Sequence, residues 1–283
     1  MSVHAPELAL RDVPGPSALG GGWRRSLELL WVIAVYDFKK AFFGTILGYV
    51  WSLARPLLLF AVLVTVFTKI FRFPTVPHYP VMLLMNIVLY GFFQEATILA
   101  VGSVVGQEAI VRKTQFPRLV IPLAVVLTSL FNLLLNLVVV LIFILGFGVT
   151  PTWTWLLFPV VLALLIIITT AVSMIVSSLY PRFRDVAIIW TVFSTALFYA
   201  TPILYPVNSL SGHPTLRHVI LLNPLAPIFE LARKWIIQPS APGPAQAAGG
   251  YLQLLPSMAI FVGICLLAIW VFNREAPRIA EQL

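Results

Sequence analysis

The chain has 283 residues, of which 60% are hydrophobic and 10% charged, and its mean hydropathy is +0.99. Soluble proteins carry about 25% charged residues, so a single soluble domain is excluded, as are a collagen, a disulfide scaffold and a disordered chain. The formal net charge of +8 reflects basic loops beside membrane spans, not a nucleic-acid surface, because no basic stripe is interleaved with aromatics.

Residues 1–25 read as a disordered cytoplasmic leader. The first 22 are rich in Pro, Gly and Ala and lack the apolar core of a secretory signal. Residues 26–50 (SLELLWVIAVYDFKKAFFGTILGYV) are apolar but carry Glu28, Asp37, Lys39 and Lys40. A helix crossing the bilayer with these charges near its middle is costly, whereas one lying in the cytoplasmic interface keeps them wet. Six spans follow, at about Pro56–Phe71, Pro80–Val104, Arg118–Phe147, Trp155–Leu179, Val186–Ala200 and Tyr251–Phe272. The first and fifth are short and are expected to borrow flanking residues.

Between the last two spans, Pro202, Pro206, Pro224 and Pro227 break two apolar pieces within 201–238. They predict a re-entrant helical hairpin, a form tolerated only where protein or water covers the broken backbone. The stretch QPSAPGPAQAAGG (238–250) predicts a flexible external loop, and 273–283 a cytoplasmic tail. The expected fold class is thus an all-α integral membrane protein, with residues 51–272 as its six-helix domain.

Six spans place both termini on one side. With the termini inside, the inner side holds Arg11, Arg24, Arg25, Lys39, Lys40, Arg55, Arg112, Lys113, Arg118, Arg182, Arg184, Arg274 and Arg278. The outer side then holds only Lys69, Arg72, Arg217, Arg233 and Lys234. The excess puts both termini in the cytoplasm.

Several chemistries lack their residues. There is no GxxxxGK[ST] run to cradle nucleotide phosphates, so any work with ATP must come from another polypeptide. The four histidines, His4, His78, His213 and His218, lie outside the spans. The single Cys265 forms no intrachain disulfide, and no Cys/His cluster has metal-ligand spacing. Glu95 is the one acid well within a span, which leaves no pair of converging groups for a membrane enzyme. An ion-coupled carrier would have to depend on Glu95 alone; its neighbour Gln94, with Gln107 and Glu108 nearby, points to a helix end close to water. No internal repeat supports an inverted-repeat carrier.

Polar residues recur at helical spacing in four spans: Asn86, Tyr90 and Gln94; Ser129, Asn132 and Asn136; Thr169, Ser173 and Ser177; Thr191, Ser194, Thr195 and Phe198. Each set shares one helix face. Such faces serve either interhelical hydrogen bonding or a weakly polar path for a hydroxyl-rich substrate. Gly44 and Gly48 form a GxxxG pair that permits close helix contact.

Several motifs, in order, carry a resemblance. They are Thr45, Leu47, Gly48, Tyr49, Trp51 and Pro56 in TILGYVWSLARPL; Lys113, Phe116, Pro117, Arg118 and Pro122 in RKTQFPRLVIPL; Arg184-Asp185; Thr201-Pro-Ile-Leu-Tyr-Pro206; and Asn223-Pro224. Over about residues 26–272 the sequence resembles the membrane subunit of type-2 ABC exporters of cell-surface polysaccharide (O-antigen, teichoic acid, capsule or galactan). Departures are Thr201 where the family often has Ser, Pro181 and Phe183 ahead of Arg184-Asp185, and the 238–250 loop.

The resemblance implies a second copy of this chain, two copies of a separate ABC ATPase that holds ATP and Mg, and a lipid-linked polysaccharide, usually on undecaprenyl diphosphate, as cargo in the bacterial cytoplasmic membrane. No cofactor is expected in this chain. Residues 106–117 would be the coupling helix docking on the ATPase through Glu108, Arg112, Lys113, Gln115, Phe116 and Pro117. Lys39, Lys40 and Arg55 stand where a lipid diphosphate would arrive, a position that equally suits attraction to anionic lipid. Tyr49, Trp51, Tyr90, Phe92, Phe93, Gln94, Phe198 and Tyr199 would line the translocation path. Thr201, Pro202, Tyr205, Pro206, Asn223 and Pro224 would form the outer gate. An exporter of drugs or lipids of the same ABC type is the alternative.

Overall fold

The structure, a computed structural model, describes residues 22–42, 48–70, 77–107, 118–210 and 212–282. All regular elements among them are helices: α1 Gly22–Phe42, α2 Gly48–Thr65, α3 Tyr79–Gly106, α4 Val120–Gly146, α5 Phe158–Leu179, α6 Val186–Ala200, α7 Pro214–Leu222, α8 Ala226–Ala232, α9 Pro244–Ala248 and α10 Tyr251–Gln282. The π-helical turns Val66–Ile70 and Arg233–Ile237 extend α2 and α8, and the 3₁₀ turn Trp153–Leu157 leads into α5.

Five of these helices are long and apolar enough to cross a membrane: Val50–Ile70, Tyr79–Gly106, Val120–Gly146, Trp153–Leu179 and Tyr251–Glu275. The expected fifth span is a shorter helix, α6, with 15 residues. At 1.5 Å per residue it is about 22 Å long, less than the roughly 30 Å of a hydrocarbon core. Six full-length spans are therefore corrected to five and a shorter one. The first span does gain flanking residues, because α2 starts at Gly48. The expected interfacial stretch 26–50 is divided between α1, which ends at Phe42, and the first turn of α2. The last span continues as helix to Gln282, so 273–282 prolong α10.

Helix α3 is the core of the protomer. Of its 28 residues, Tyr79, Val81 through Tyr90, Phe92, Phe93 and five more toward its C-terminus are buried. Helices α4 and α5 pack on it, and α10 packs on α5. By contrast Phe60 is the one buried residue among the described side chains of α2, and Ser194 and Phe198 are those of α6. Their outward faces, such as Leu58 and Val62 on α2 and Ile188, Ile189 and Val192 on α6, are apolar and exposed. Such faces need lipid or another protein surface.

Local signals end the elements as physical chemistry requires. Helix α4 stops at Gly148, whose φ of 77° suits glycine. There the amide of Val149 donates to Ile144 O and that of Gly148 to Leu145 O, the paired bonds of a Schellman turn. The expected flexible loop 238–250 is likewise ordered, which corrects that reading. Gln246 Oε1 accepts the Gly243 amide at 3.2 Å, Gly249 ends α9 at φ 97°, and Ala241, Ala247 and Ala248 are buried. Small residues mark flexibility in isolation, but here they allow close packing under α7, where Arg217 binds the carbonyls of Ala247 and Gln246.

Helix α1 lies against α4. Trp31 and Phe38, two turns apart, both meet Phe131 edge-on at 5.6 and 5.5 Å. Ala34 between them is fully buried, and its carbonyl accepts the Thr128 hydroxyl at 3.2 Å. Replacing Ala34 by Leu inserts bulk into this contact at a cost of about 1–3 kcal/mol. The expected outcome is faster tryptic cleavage at Lys39–Lys40 in the purified protein, with the rest of the cleavage pattern unchanged.

Candidate functional site

The broken segment after α6 is held by side chains from α3. Thr201 leaves the helix with its hydroxyl on Leu197 O at 2.7 Å. The next carbonyls have no helical partners, and buried carbonyls need them. Asn86 Nδ2 donates to the carbonyls of Pro202 and Ile203 at 3.3 Å each, and the Tyr79 hydroxyl donates to Leu204 O at 2.9 Å. One turn further along α3, the Tyr90 hydroxyl donates to Ser194 O. The residues rise on α3 as they fall on α6, so the two helices run antiparallel.

The other half of the hairpin closes on the same segment. Asn223 Nδ2 donates to Thr201 Oγ1 at 2.8 Å, its Oδ1 accepts the Leu225 amide at 3.0 Å, and Ser257 on α10 reaches its carbonyl at 3.4 Å. The structure thus brings Thr201, Pro202 and Asn223 together. Pro206 is buried beside them, Pro224 is half-buried, and Tyr205 donates back to Tyr199 O at 3.2 Å.

Sequence reasoning missed the pair that anchors this hairpin. Glu230 Oε1 accepts the Val207 amide at 2.8 Å, and Glu230 pairs with Arg233 at 3.4 Å. Both are buried, at 2% and 4% exposure. Burial raises the Glu230 pKa, while Arg233 and the Val207 amide pull it back. Arg233 was counted only as an outer charge; the i, i+3 spacing in FELARKW was the signal available. Tyr79 was also missed as a site feature, whereas Asn86 stood in the polar stripe for which interhelical hydrogen bonding was one of the two expected uses.

The expected path residues separate into two groups. Tyr90, Phe92, Phe93 and Phe198 are buried inside the protomer. Tyr90 packs on Phe198 at 5.3 Å and on Phe93 at 5.7 Å, edges and faces that satisfy each other as in a core. Trp51 and Tyr199 are exposed, at 64% and 61%, and Gln94 is half-buried. The side chain of Tyr49 lies outside the described residues. A groove of about 600 Å³ runs between α5, α6 and α10, walled by Phe93, Trp190, Phe193 and Ile264 and closed by Asn223–Leu225.

At the other end of the bundle lie the charged candidates. Lys39 and Lys40 are exposed in the last turn of α1, where cations suit the helix dipole. Burial raises the Asp37 pKa against the pull of Lys40. Arg55 is exposed on α2. Glu95 is corrected from a helix end to the interior of α3, where its Oε1 accepts Asn132 Nδ2 from α4 at 2.6 Å. Arg182 and Arg184 stack on Phe183 and Tyr180 at 5.1 and 5.0 Å. The expected coupling residues Glu108, Arg112, Lys113, Gln115, Phe116 and Pro117 lie outside the described residues.

A helical, multi-pass membrane protein whose polar side chains stitch helices together is the class these features define. Residues 28–237 match the ABC-2 type transporter family, and the chain belongs to that family. It is 32% identical over 259 residues to a Klebsiella pneumoniae protein described as the O-antigen export system permease protein RfbA, covering 90% of this chain and 95% of the relative. A second RfbA of Klebsiella pneumoniae is 30% identical over 257 residues, with the same coverage of 90% and 95%. The RfbA of Myxococcus xanthus is 28% identical over 193 residues, 68% of this chain and 74% of its own.

Replacing Asn86 by Leu removes the donor to two buried carbonyls. Each unsatisfied group costs about 1–3 kcal/mol. The expected outcome is a lower thermal midpoint in detergent, together with reagent access to a cysteine placed at Ile203, which is fully buried in the parent.

Proposed function

We propose that this chain is the transmembrane subunit of an ATP-driven exporter that moves a polyprenyl-diphosphate-linked polysaccharide across the bacterial cytoplasmic membrane. It works as a homodimer with two copies of a separate ABC ATPase, which holds the ATP and Mg. The observation that carries this reading is the similarity, over 90% of the chain, to permeases described as O-antigen exporters. Both termini are cytoplasmic, by the excess of Lys and Arg on that side, and α6 makes the sixth crossing together with the segment that follows it.

Helix α3 supports the mechanical side of the proposal. Its 28 residues make a rod about 42 Å long. Residues 106–117 at its C-terminal end are the coupling segment. Near its N-terminal end, Tyr79, Asn86 and Tyr90 bond the segment 194–204. A displacement applied by the ATPase at one end therefore reaches Thr201–Pro206 through hydrogen bonds, and the two copies part along the exposed faces of α2 and α6. The diphosphate arrives near Lys39, Lys40 and Arg55, where charge-assisted bonds favour it, and the glycan passes along Trp51 and Tyr199. Parting would also bring the faces of Tyr90, Phe92, Phe93 and Phe198 to the glycan.

The alternative, export of a drug or lipid, is favoured by the apolar groove of about 600 Å³ beside α6, a size and character suited to a small apolar compound. Depleting the protein in its host separates the two. The expected outcome is a long lipid-linked glycan accumulating on the cytoplasmic leaflet. Unchanged glycans with altered tolerance to small toxic compounds would select the alternative.

Two further outcomes are expected. Phe116→Ala with Arg112→Ala abolishes export while the protein remains inserted, read by glycan export and by membrane fractionation. In a Cys265→Ser background, a cysteine at Gly212 reacts with an impermeant maleimide in intact cells, and one at Arg24 only after permeabilisation.

A further inference from the structure

Away from the helix ends, Arg55 and Glu95 are the charges within the five long spans; Lys69 and the Arg274–Glu275 pair sit at the ends of theirs. Arg55 lies seven residues into α2, about 10 Å along it. Glu95 lies eleven residues, about 16 Å, from the end of α3 at Gly106, and Asn132 twelve residues, about 18 Å, from the start of α4. These distances place the three groups toward one end of antiparallel neighbours. An arginine this near a helix end snorkels to the interface, where it is open to an incoming anion, and its side chain is exposed on a helix that buries almost nothing. Helices α2 and α3 pack on each other, and Glu95 is the acid that lies away from the ends of the five long spans, within electrostatic reach of Arg55. That carboxylate is not free to turn, because Asn132 donates to its Oε1 at 2.6 Å. The main-chain carbonyl of Asn132 in turn accepts the Asn136 side-chain amide at 2.8 Å.

We infer that Glu95 is a positioning residue for cargo, oriented by Asn132 so that its carboxylate competes with an incoming diphosphate for the Arg55 guanidinium. This rests on the proposed cargo class. A guanidinium fork accepts a phosphate through two parallel bonds, and a fixed carboxylate nearby weakens that grip. The cargo is held long enough to enter and is still released. Glu95 thus sets affinity and turnover in opposite directions, whereas a merely structural residue would not tighten binding when changed.

The test uses the purified full chain in phosphatidylcholine nanodiscs with farnesyl diphosphate as probe and farnesol as control. Export kinetics are read in proteoliposomes with the ATPase partner. Parent protein is expected to bind the diphosphate and not farnesol. Arg55→Gln weakens binding about tenfold, and Glu95→Gln tightens it about tenfold. In export, Glu95→Gln lowers KM and kcat together, while Glu95→Asp stays close to the parent. In the Arg55→Gln background the Glu95→Gln gain disappears. Glu95→Ala is measured alongside, so that one poorly folding variant does not decide the matter.

Tightening that persists without Arg55, or its absence in both Glu95→Gln and Glu95→Ala while the parent binds the probe, overturns the inference and leaves the cargo reading standing. Loss of probe binding when phosphatidylglycerol is added to the nanodiscs assigns the site to a lipid headgroup and likewise overturns the inference. A parent protein that binds no diphosphate overturns the cargo reading and the inference together.

Discussion

The structure depends on how backbone carbonyls are satisfied where helix α6 ends among apolar neighbours. Past Thr201 the chain cannot continue as helix, because Pro202 and Pro206 interrupt it. In a membrane no water relieves the freed groups. Asn86 and Tyr79 supply the missing donors from α3, and Asn223 adds a bond from the returning hairpin. These bonds tie α3, the end of α6 and the turn after α7 into one unit. The buried Glu230–Arg233 pair extends that unit to Val207. Breaking one member of such a pair leaves an uncompensated buried charge, at about 3–5 kcal/mol.

Burial is unevenly shared, and this inequality carries the functional geometry. Helix α3 is enclosed, whereas α2 and α6 keep apolar faces open. A chain of this hydropathy tolerates such faces against lipid or against a second copy. Aromatic residues divide in the same way: Tyr90, Phe93 and Phe198 fill the interior, while Trp51 and Tyr199 lie outside it. Placing sugar-facing rings from sequence therefore required knowing which face of each helix points inward.

Periodicity and length alone located α3, α4, α5 and the start of α10 to within a few residues, because hydropathic runs of membrane length have few competing readings. The break after α6 was legible, since prolines constrain the backbone wherever they stand, and the expected gate grouped Thr201, Pro202 and Asn223. Their mutual bonds were not legible, since they join residues 22 or more positions apart. The ordering of 238–250 was hidden for a related reason. Its Ala, Gly and Pro residues are neutral locally, and only the surrounding helices α7, α8 and α10 make close packing favourable.

The sequence by itself determined that this protein is helical and membrane-spanning, and roughly where its spans begin and end. These properties follow from composition and local pattern, which need no knowledge of neighbours. The tertiary structure decided that Glu95 lies inside the bundle against Asn132, that Arg233 is buried with Glu230, and that the polar stripe of α3 bonds the broken segment beyond α6. Those outcomes depend on which helices meet and at what height. That is fixed by packing between distant parts of the chain, and no local pattern records it.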